Sequence, residues 1–139
     1  APSRFAEHLR DSDFLSLHVP LNKETEGMIG SSEIALMKPS AFLINVARGR
    51  VVNYAALLAA LREQRLAGAG LDVYWNEPID PNDALLALPN VVATPHVANM
   101  TLETIETIAR VSADNIRRVR EGLSPVHQIL QPSDTGHHS

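Results

Sequence analysis

A short apolar run at residues 41–46 (AFLINV) constrains the fold of this chain more than any other segment, because Asn45 is its only polar residue. A strand with one face in water alternates apolar and polar residues, whereas a strand buried on both faces is apolar almost throughout. The run therefore predicts a doubly buried strand of a parallel sheet. Parallel strands are joined by long crossovers, usually helices, so an α/β fold is expected.

The rest of the chain alternates between strand-like and helix-like segments. Further strands are predicted over residues 14–19, 68–74 and 91–94, where apolar runs are bounded by proline, glycine or polar residues. Helices are predicted from Gly30-Ser31-Ser32 onward with Ser31 or Ser32 as N-cap, over residues 54–64 with Asn53 as N-cap, and over residues 101–121. This order predicts one domain over residues 1–122 and a loose, polar tail over residues 123–139.

The composition excludes several classes of function. The net charge is −4 and there is no long run of basic residues, so binding to nucleic acid or to an anionic membrane is not expected. Apolar stretches are interrupted well before about 18 residues, which excludes a membrane span, and early charged residues break up any signal peptide. The chain has no cysteine, so disulfides and thiolate chemistry are excluded and a cytoplasmic location is expected.

The sequence indicates neither a metal site nor a hydrolase site. Potential ligands do not have the tight spacing of a metal centre, apart from the His137-His138 pair in the predicted tail. A serine in a G-x-S-x-G turn, as hydrolases use, is also missing from the sequence. The function is therefore expected to depend on other side chains.

Chemically capable side chains follow the ends of the four predicted strands. The strand ends and the segments just beyond them contain His18-Val19-Pro20, Asn45 to Gly49 with Arg48, Asp72 with Glu77 beyond it, and Pro95-His96. Ligands of an open parallel sheet bind outside the carboxyl ends of its strands. An arginine, two carboxylates and two histidines are thus predicted on one rim of the sheet.

Three of these side chains suit acid–base chemistry on a carboxylate substrate. Arg48 can bind two carboxylate oxygens with its planar guanidinium group, although a surface arginine in a turn is the alternative. His96 can act as general acid and base because histidine ordinarily titrates near neutral pH, although a structural histidine is the alternative. Glu77 can pair with that imidazole and favour its protonated form, or can be a solvated loop residue.

Two further rim residues remain open in their roles. Asp72 ends an apolar strand, where it can orient a polar group of a ligand or can cap a neighbouring backbone amide. His18 is followed by Val-Pro, so it is the weaker histidine and can equally shape the loop.

Four segments together resemble one known family, the D-isomer-specific 2-hydroxyacid dehydrogenases. These segments are residues 12–21, residues 37–52, residues 69–74 followed by Glu77-Pro78, and residues 88–98. They lie in the family's order and spacing, and the resemblance runs from about Leu9 to about Gly122. Four motifs in register are far more specific than any one of them.

The resemblance implies an NAD-dependent enzyme, with NADP open, that acts on a small 2-keto or 2-hydroxy acid and forms a homodimer. Arg48 would bind the substrate carboxylate, His96 would exchange a proton with the substrate oxygen, and Glu77 would hydrogen-bond His96. Asp72 would contact the nicotinamide end of the cofactor. The full set of cofactor-binding residues implied in this way is Val19, Pro20, Val46, Ala47, Arg48, Asp72, His96 and Ala98.

The sequence departs from the family pattern mainly in its glycines. It contains only seven, and none forms the G-x-G-x-x-G loop that binds the pyrophosphate. The expected fold is therefore a partial Rossmann-like, doubly wound parallel sheet without its glycine-loop half, in which the first strand has an open edge. Smaller departures are Asn53, where the family often has Asp, and Asn99-Met100 after the histidine.

Three alternatives to an active dehydrogenase remain at this point. A formate-dehydrogenase-like enzyme is disfavoured by Glu77, because those enzymes resemble the family but have a glutamine near the histidine. An NAD-sensing, non-catalytic binding module can retain Arg48, Glu77 and His96. A truncated, inactive reading frame is the third alternative, and the chain by itself is expected to be inactive because half of the dinucleotide site is not encoded in it.

Overall fold

The computed structural model describes residues 2–128. In chain order the elements are α1 (Pro2–Asp11), β1 (Phe14–Leu17), α2 (Ser31–Ile34), β2 (Phe42–Asn45), a short 3₁₀ helix (Gly49–Val51), α3 (Tyr54–Arg62), β3 (Gly68–Leu71), β4 (Val91–Ala93) and α4 (Leu102–Arg120). The chain divides into two compact units, the first ending at Ala98 and the second beginning at Asn99. Among residues 2–128, none of the helices has the length and apolar character needed to cross a membrane.

The first unit is built on a four-stranded parallel sheet with the order β1-β2-β3-β4. Leu15 pairs with Leu43 and Leu43 with Ala69, so β2 is an interior strand of the sheet. The prediction that both of its faces are buried was wrong for these residues, because Leu43 and Asn45 are buried whereas Phe42 is exposed and Ile44 is only partly buried. The predicted α/β parallel fold is confirmed. β1 lies at one edge, and within the described residues β2 is the strand that pairs with it.

The core lies where β2 and β3 pack with α2 and α3. Leu43 and Leu57 are fully buried, as are Ile34 and Val51, and Leu71 is nearly so. Burying an aliphatic side chain of this size contributes about 2 kcal/mol. Leu57 and Leu61 of α3 are both buried, which matches the helical spacing seen in the sequence.

Two predicted helix starts are confirmed by their capping contacts. The Asn53 side chain accepts a hydrogen bond from the Ala56 amide and caps α3. The Thr101 hydroxyl accepts one from the Thr104 amide and caps α4. Gly122 follows α4 with φ +74°, a conformation that glycine adopts at little cost.

Other local predictions were wrong. The N-cap of α2 is Gly30 rather than Ser31 or Ser32, because the Glu33 carboxylate reaches back to accept from the Gly30 amide. The sequence pattern did not indicate α1, although its Leu9 is buried in the core. The third strand ends at Leu71 instead of residue 74, since the chain turns there towards the candidate site.

The second unit consists of α4 and the segment that follows it. Arg117 forms ion pairs with Asp114 and Glu121 along the exposed helix surface. The Asn115 side chain exchanges two hydrogen bonds with the backbone of Val126, so the start of the predicted tail is tied to α4. The boundary at residue 122 stays a prediction, and residues 129–139 of the predicted tail lie outside the described residues.

Candidate active site

The centre of the site is a contact between the two predicted acid–base residues. The Nδ1 atom of His96 lies 2.8 Å from Oε2 of Glu77. Oε1 of Glu77 accepts a hydrogen bond of 3.0 Å from the Tyr74 amide, so both carboxylate oxygens are engaged. The pair opens on a cavity of about 270 Å³ whose lining is completed by Tyr74, Pro78, Ile79 and Pro95. Glu77 and His96, which are 19 positions apart, are therefore brought together as predicted.

The environment of Glu77 keeps its carboxyl group ionised. The hydrogen bond with His96 is the largest cause that lowers the pKa of Glu77, followed by the bond from the Tyr74 amide. The positive charge of Arg48 lowers this pKa further, as a smaller effect. An ionised Glu77 accepts the Nδ1 proton, which fixes the imidazole ring and leaves Nε2 as the nitrogen that can exchange a proton.

His96 has a backbone conformation that few non-glycine residues adopt. Its φ is +58°, in the left-handed region, which costs about 1 kcal/mol and needs support from surrounding contacts. That support comes from Asp72 across the sheet. One carboxylate oxygen of Asp72 accepts from the Thr94 hydroxyl and the Val97 amide, and the other accepts from the Ala98 amide.

The Asp72 carboxylate is thus used to hold the chain on both sides of His96. Its side chain is only 4% exposed. Burial by itself raises the pKa of Asp72, but the hydrogen bonds from Thr94, Ala98 and Val97 outweigh it, and the pKa lies below its ordinary value. Of the two roles left open by the sequence, the structure shows the backbone-capping one. Oδ2 accepts a single bond from residues 2–128 and keeps capacity for another, so contact with a cofactor stays a prediction.

Arg48 is positioned by a residue whose role the sequence pattern did not reveal. Asn45 is fully buried, donates to the Arg48 carbonyl at 3.0 Å and accepts from the Ala47 amide at 3.1 Å. These bonds shape the turn after β2 and leave the Arg48 side chain exposed. The signal for this role was present, because Asn45 is the lone polar residue of the apolar run.

A second cavity of about 570 Å³ lies at the ends of β1 and β2. Its lining includes five of the predicted cofactor-binding residues, namely Val19, Pro20, Val46, Ala47 and Arg48. Apolar side chains and one arginine suit the ring and ribose parts of a dinucleotide together with one negative group. His18 also lines this cavity, and its Nε2 lies 2.8 Å from the Ser16 hydroxyl. The remaining predicted cofactor residues, Asp72, His96 and Ala98, lie together at the ends of β3 and β4.

Within residues 2–128, groups of three or more His, Asp or Glu side chains that could hold a metal ion do not occur.

Comparison with known proteins identifies the family of this chain. Residues 1–98 match the family model described as D-isomer specific 2-hydroxyacid dehydrogenase, NAD binding domain. The glyoxylate reductase of Thermococcus litoralis is 50% identical over 125 residues, which cover 90% of this chain and 38% of that protein.

Solved structures give the same result. The D-lactate dehydrogenase with NAD+ from Lactobacillus jensenii matches with a TM-score of 0.84 and 36% identity, over 91% of this chain and 42% of that one. The D-isomer specific 2-hydroxyacid dehydrogenase from Xanthobacter autotrophicus Py2 in complex with NADPH and MES matches with a TM-score of 0.77 and 37% identity, over 92% of this chain and 52% of that one.

The four-stranded parallel sheet and its helices define a Rossmann-like α/β domain. More specifically, the chain belongs to the D-isomer specific 2-hydroxyacid dehydrogenase family and contains part of its NAD-binding domain. The chain spans 38% of the length of the Thermococcus litoralis relative.

Proposed function

We propose that the protein to which this chain belongs is an NAD(P)-dependent dehydrogenase that interconverts a small 2-keto acid and the corresponding 2-hydroxy acid. The observation that carries the proposal is the contact of 2.8 Å between His96 and an ionised Glu77, beside a cavity and held by Asp72. Structural histidines do not require a strained backbone and a dedicated carboxylate, whereas a proton-exchanging histidine needs a fixed ring.

In the direction of reduction, each proposed residue has a defined task. Arg48 binds the substrate carboxylate with its guanidinium group and so places the adjacent carbonyl group. His96 in its protonated form donates the Nε2 proton to the carbonyl oxygen, and Glu77 stabilises the positive charge of the ring before the transfer. A nicotinamide, when bound, would supply the hydride that reaches the carbonyl carbon. The neutral His96 then recovers a proton from solvent.

The proposed cofactor site is the cavity at the ends of β1 and β2 together with the ends of β3 and β4. Val19, Pro20, Val46, Ala47 and Arg48 would line the dinucleotide on one side. His96, Ala98 and the free acceptor of Asp72 would meet its nicotinamide end. NAD is the proposed cofactor and NADP stays open, since the relatives named above include structures with NAD+ and with NADPH.

The intact protein is further proposed to be a cytoplasmic homodimer. A reducing compartment suits a chain without cysteine. Light scattering on the intact protein after size-exclusion chromatography measures the oligomeric state directly, and a monomer at micromolar concentration would contradict the dimer.

A chimera tests the catalytic proposal. Residues 2–122 would replace the matching segment of the Thermococcus litoralis glyoxylate reductase, and NADH oxidation by glyoxylate would be followed. We expect turnover, and we expect His96→Gln to lower kcat by about 10²–10⁴. His8→Gln is the matched control, because His8 is exposed on α1 and should leave kcat unchanged. A folded chimera that binds NADH without turnover would favour the NAD-sensing, non-catalytic alternative.

The isolated chain gives a second test through calorimetric titration with NADH and light scattering on the same sample. Without a glycine-rich loop the chain is expected to bind NADH far more weakly than about micromolar. Micromolar binding by a defined oligomer would show that a second copy supplies the missing contacts.

A further inference from the structure

Tyr74 lies between the three proposed catalytic residues although the sequence did not single it out. Its side chain is 9% exposed, and the residue belongs to the lining of the His96 cavity. It lies in the loop that leaves β3 and leads to Glu77. Three different parts of Tyr74 make contacts, and each contact ends at or near one of the catalytic residues.

The first contact fixes Glu77. The Tyr74 amide donates to Oε1 of Glu77 at 3.0 Å, while Oε2 faces Nδ1 of His96 at 2.8 Å. The carboxylate therefore bridges the Tyr74 backbone and the His96 ring. If the Tyr74 backbone moved, the carboxylate would have to give up one of its two partners.

The second contact fixes the chain that leads to His96. The Tyr74 hydroxyl donates to the Thr94 carbonyl at 2.7 Å, with the Leu71 carbonyl at 3.3 Å as a weaker acceptor. Thr94 is also bound through its own hydroxyl to Asp72. The phenol ring thus connects the end of β3 with the end of β4, immediately before the strained His96 backbone.

The third contact fixes the chain that follows Arg48. A Cβ atom added to Gly49 would lie 2.1 Å from the Tyr74 carbonyl carbon and 2.2 Å from its oxygen. The backbone after Arg48 is therefore pressed against the Tyr74 peptide group, and a side chain at position 49 could not fit there.

We infer that Tyr74 is a positioning residue that sets Arg48, Glu77 and His96 at their working separations through its hydroxyl, amide and carbonyl groups. The inference deepens the proposed function and rests on it, because only the proposed reaction gives these separations a catalytic purpose. The contacts themselves are present without substrate. The other tyrosine of the chain provides the contrast. The Tyr54 hydroxyl donates to Asp83 at 2.9 Å, and that bond reaches none of the three catalytic residues.

The test compares Tyr74→Phe with Tyr54→Phe in the full chain, since each change removes one hydroxyl group. In Tyr74→Phe the Thr94 carbonyl loses its donor, so the His96 segment loosens and its bond to Glu77 weakens. We expect the pKa of Glu77, followed by carbon-13 NMR, to rise towards its ordinary value. We also expect the Val97 and Ala98 amides to exchange about two- to tenfold faster. Tyr54→Phe should change neither quantity.

A purely structural role gives a different result. If Tyr74→Phe only lowers the denaturant midpoint, as Tyr54→Phe does, and leaves the Glu77 titration and the Val97 exchange unchanged, the inference is overturned. These readouts need no turnover, so they can fail or succeed independently of the proposed enzymatic activity.

A second measurement uses the unsubstituted chain and covers the case in which Tyr74→Phe does not fold. A buried hydroxyl that donates to Thr94 should give a resolved proton resonance in slow exchange, with a nuclear Overhauser effect to Thr94. A Tyr74 hydroxyl proton that exchanges too fast to be seen would overturn the inference.

Discussion

The ends of β3 and β4 differ sharply from the ends of β1 and β2. At β3 and β4 the polar groups are bound to one another: Asp72 accepts from three donors, and Glu77 uses both of its oxygens. At β1 and β2 an open cavity of about 570 Å³ is lined mainly by apolar residues, with His18 and the exposed Arg48. The polar groups at the ends of β3 and β4 are therefore already hydrogen-bonded, whereas the ends of β1 and β2 form an open cavity.

This difference shows which part of the proposed chemistry the chain encodes by itself. Residues 72–98 contain the histidine proposed to exchange the proton, its carboxylate partner and the contacts that hold them. The cofactor needs more than the open cavity, since the sequence has no glycine-rich loop for the pyrophosphate. The geometry of the Glu77–His96 pair is formed by this chain, whereas tight binding of the cofactor is expected to require a glycine-rich loop that this sequence does not contain.

The largest effect is expected from a change at the junction that joins the two regions. Gly49→Ala would place its methyl group 2.1 Å from the Tyr74 carbonyl carbon, a backbone atom that cannot rotate aside as the end of a flexible side chain can. We expect a loss of about 3 kcal/mol or more in the free energy of unfolding. Urea unfolding measures it. Gly27→Ala is the control, because nothing lies within 4 Å there and only its φ of +66° opposes alanine, at about 1 kcal/mol.

The next largest effect is expected at Asp72. Asp72→Asn turns one acceptor into a donor that faces an amide, so the free energy of unfolding should fall by about 2 kcal/mol and Val97 should exchange faster. Asp13→Asn is the matched control at an exposed ion pair with Lys38, where less than about 0.5 kcal/mol is expected. Equal losses of unfolding free energy in the two variants would contradict the role of Asp72 in holding the chain on both sides of His96.

The same region should make the chain sensitive to acid. The pKa values of Glu77 and Asp72 are lowered in the folded state, from ordinary values of 4.5 and 3.8. Their contribution to stability is therefore complete above pH 4.5 and is lost as the pH falls through the folded-state values. The urea midpoint should drop as the pH falls below about 4.5, and this drop should be less steep in Glu77→Gln. An unchanged slope in Glu77→Gln would contradict this assignment.

The smallest effect on stability is expected at the edge of the sheet beside the open region. Phe14 of β1 is 69% exposed and stacks on Phe42 at 5.3 Å. Phe14→Thr should change the free energy of unfolding by less than about 1 kcal/mol while reducing self-association, which light scattering measures. Leu43→Ala, at a fully buried position on β2, should cost about 3 kcal/mol. A large loss in Phe14→Thr would show that this edge is part of the core.

Sequence patterns predicted the parallel sheet because β2 is apolar except for Asn45 and because the periodic helices α3 and α4 have recognisable caps. They also predicted the rim, since strand ends of a parallel sheet meet on one side. They missed Tyr74, whose role depends on contacts with Gly49 and Thr94, residues that are distant in sequence. They also left Asp72 undecided, because a buried carboxylate that caps backbone amides and one that contacts a ligand look alike in sequence.

The most direct test of this account is the tautomer of His96 in the isolated chain. Long-range proton–nitrogen NMR correlations, recorded at alkaline pH where imidazole is neutral, distinguish a proton on Nδ1 from one on Nε2. A preassembled pair predicts the Nδ1–H form, because that proton is donated to Glu77 across 2.8 Å. A predominant Nε2–H form would show that the chain alone does not assemble the acid–base site.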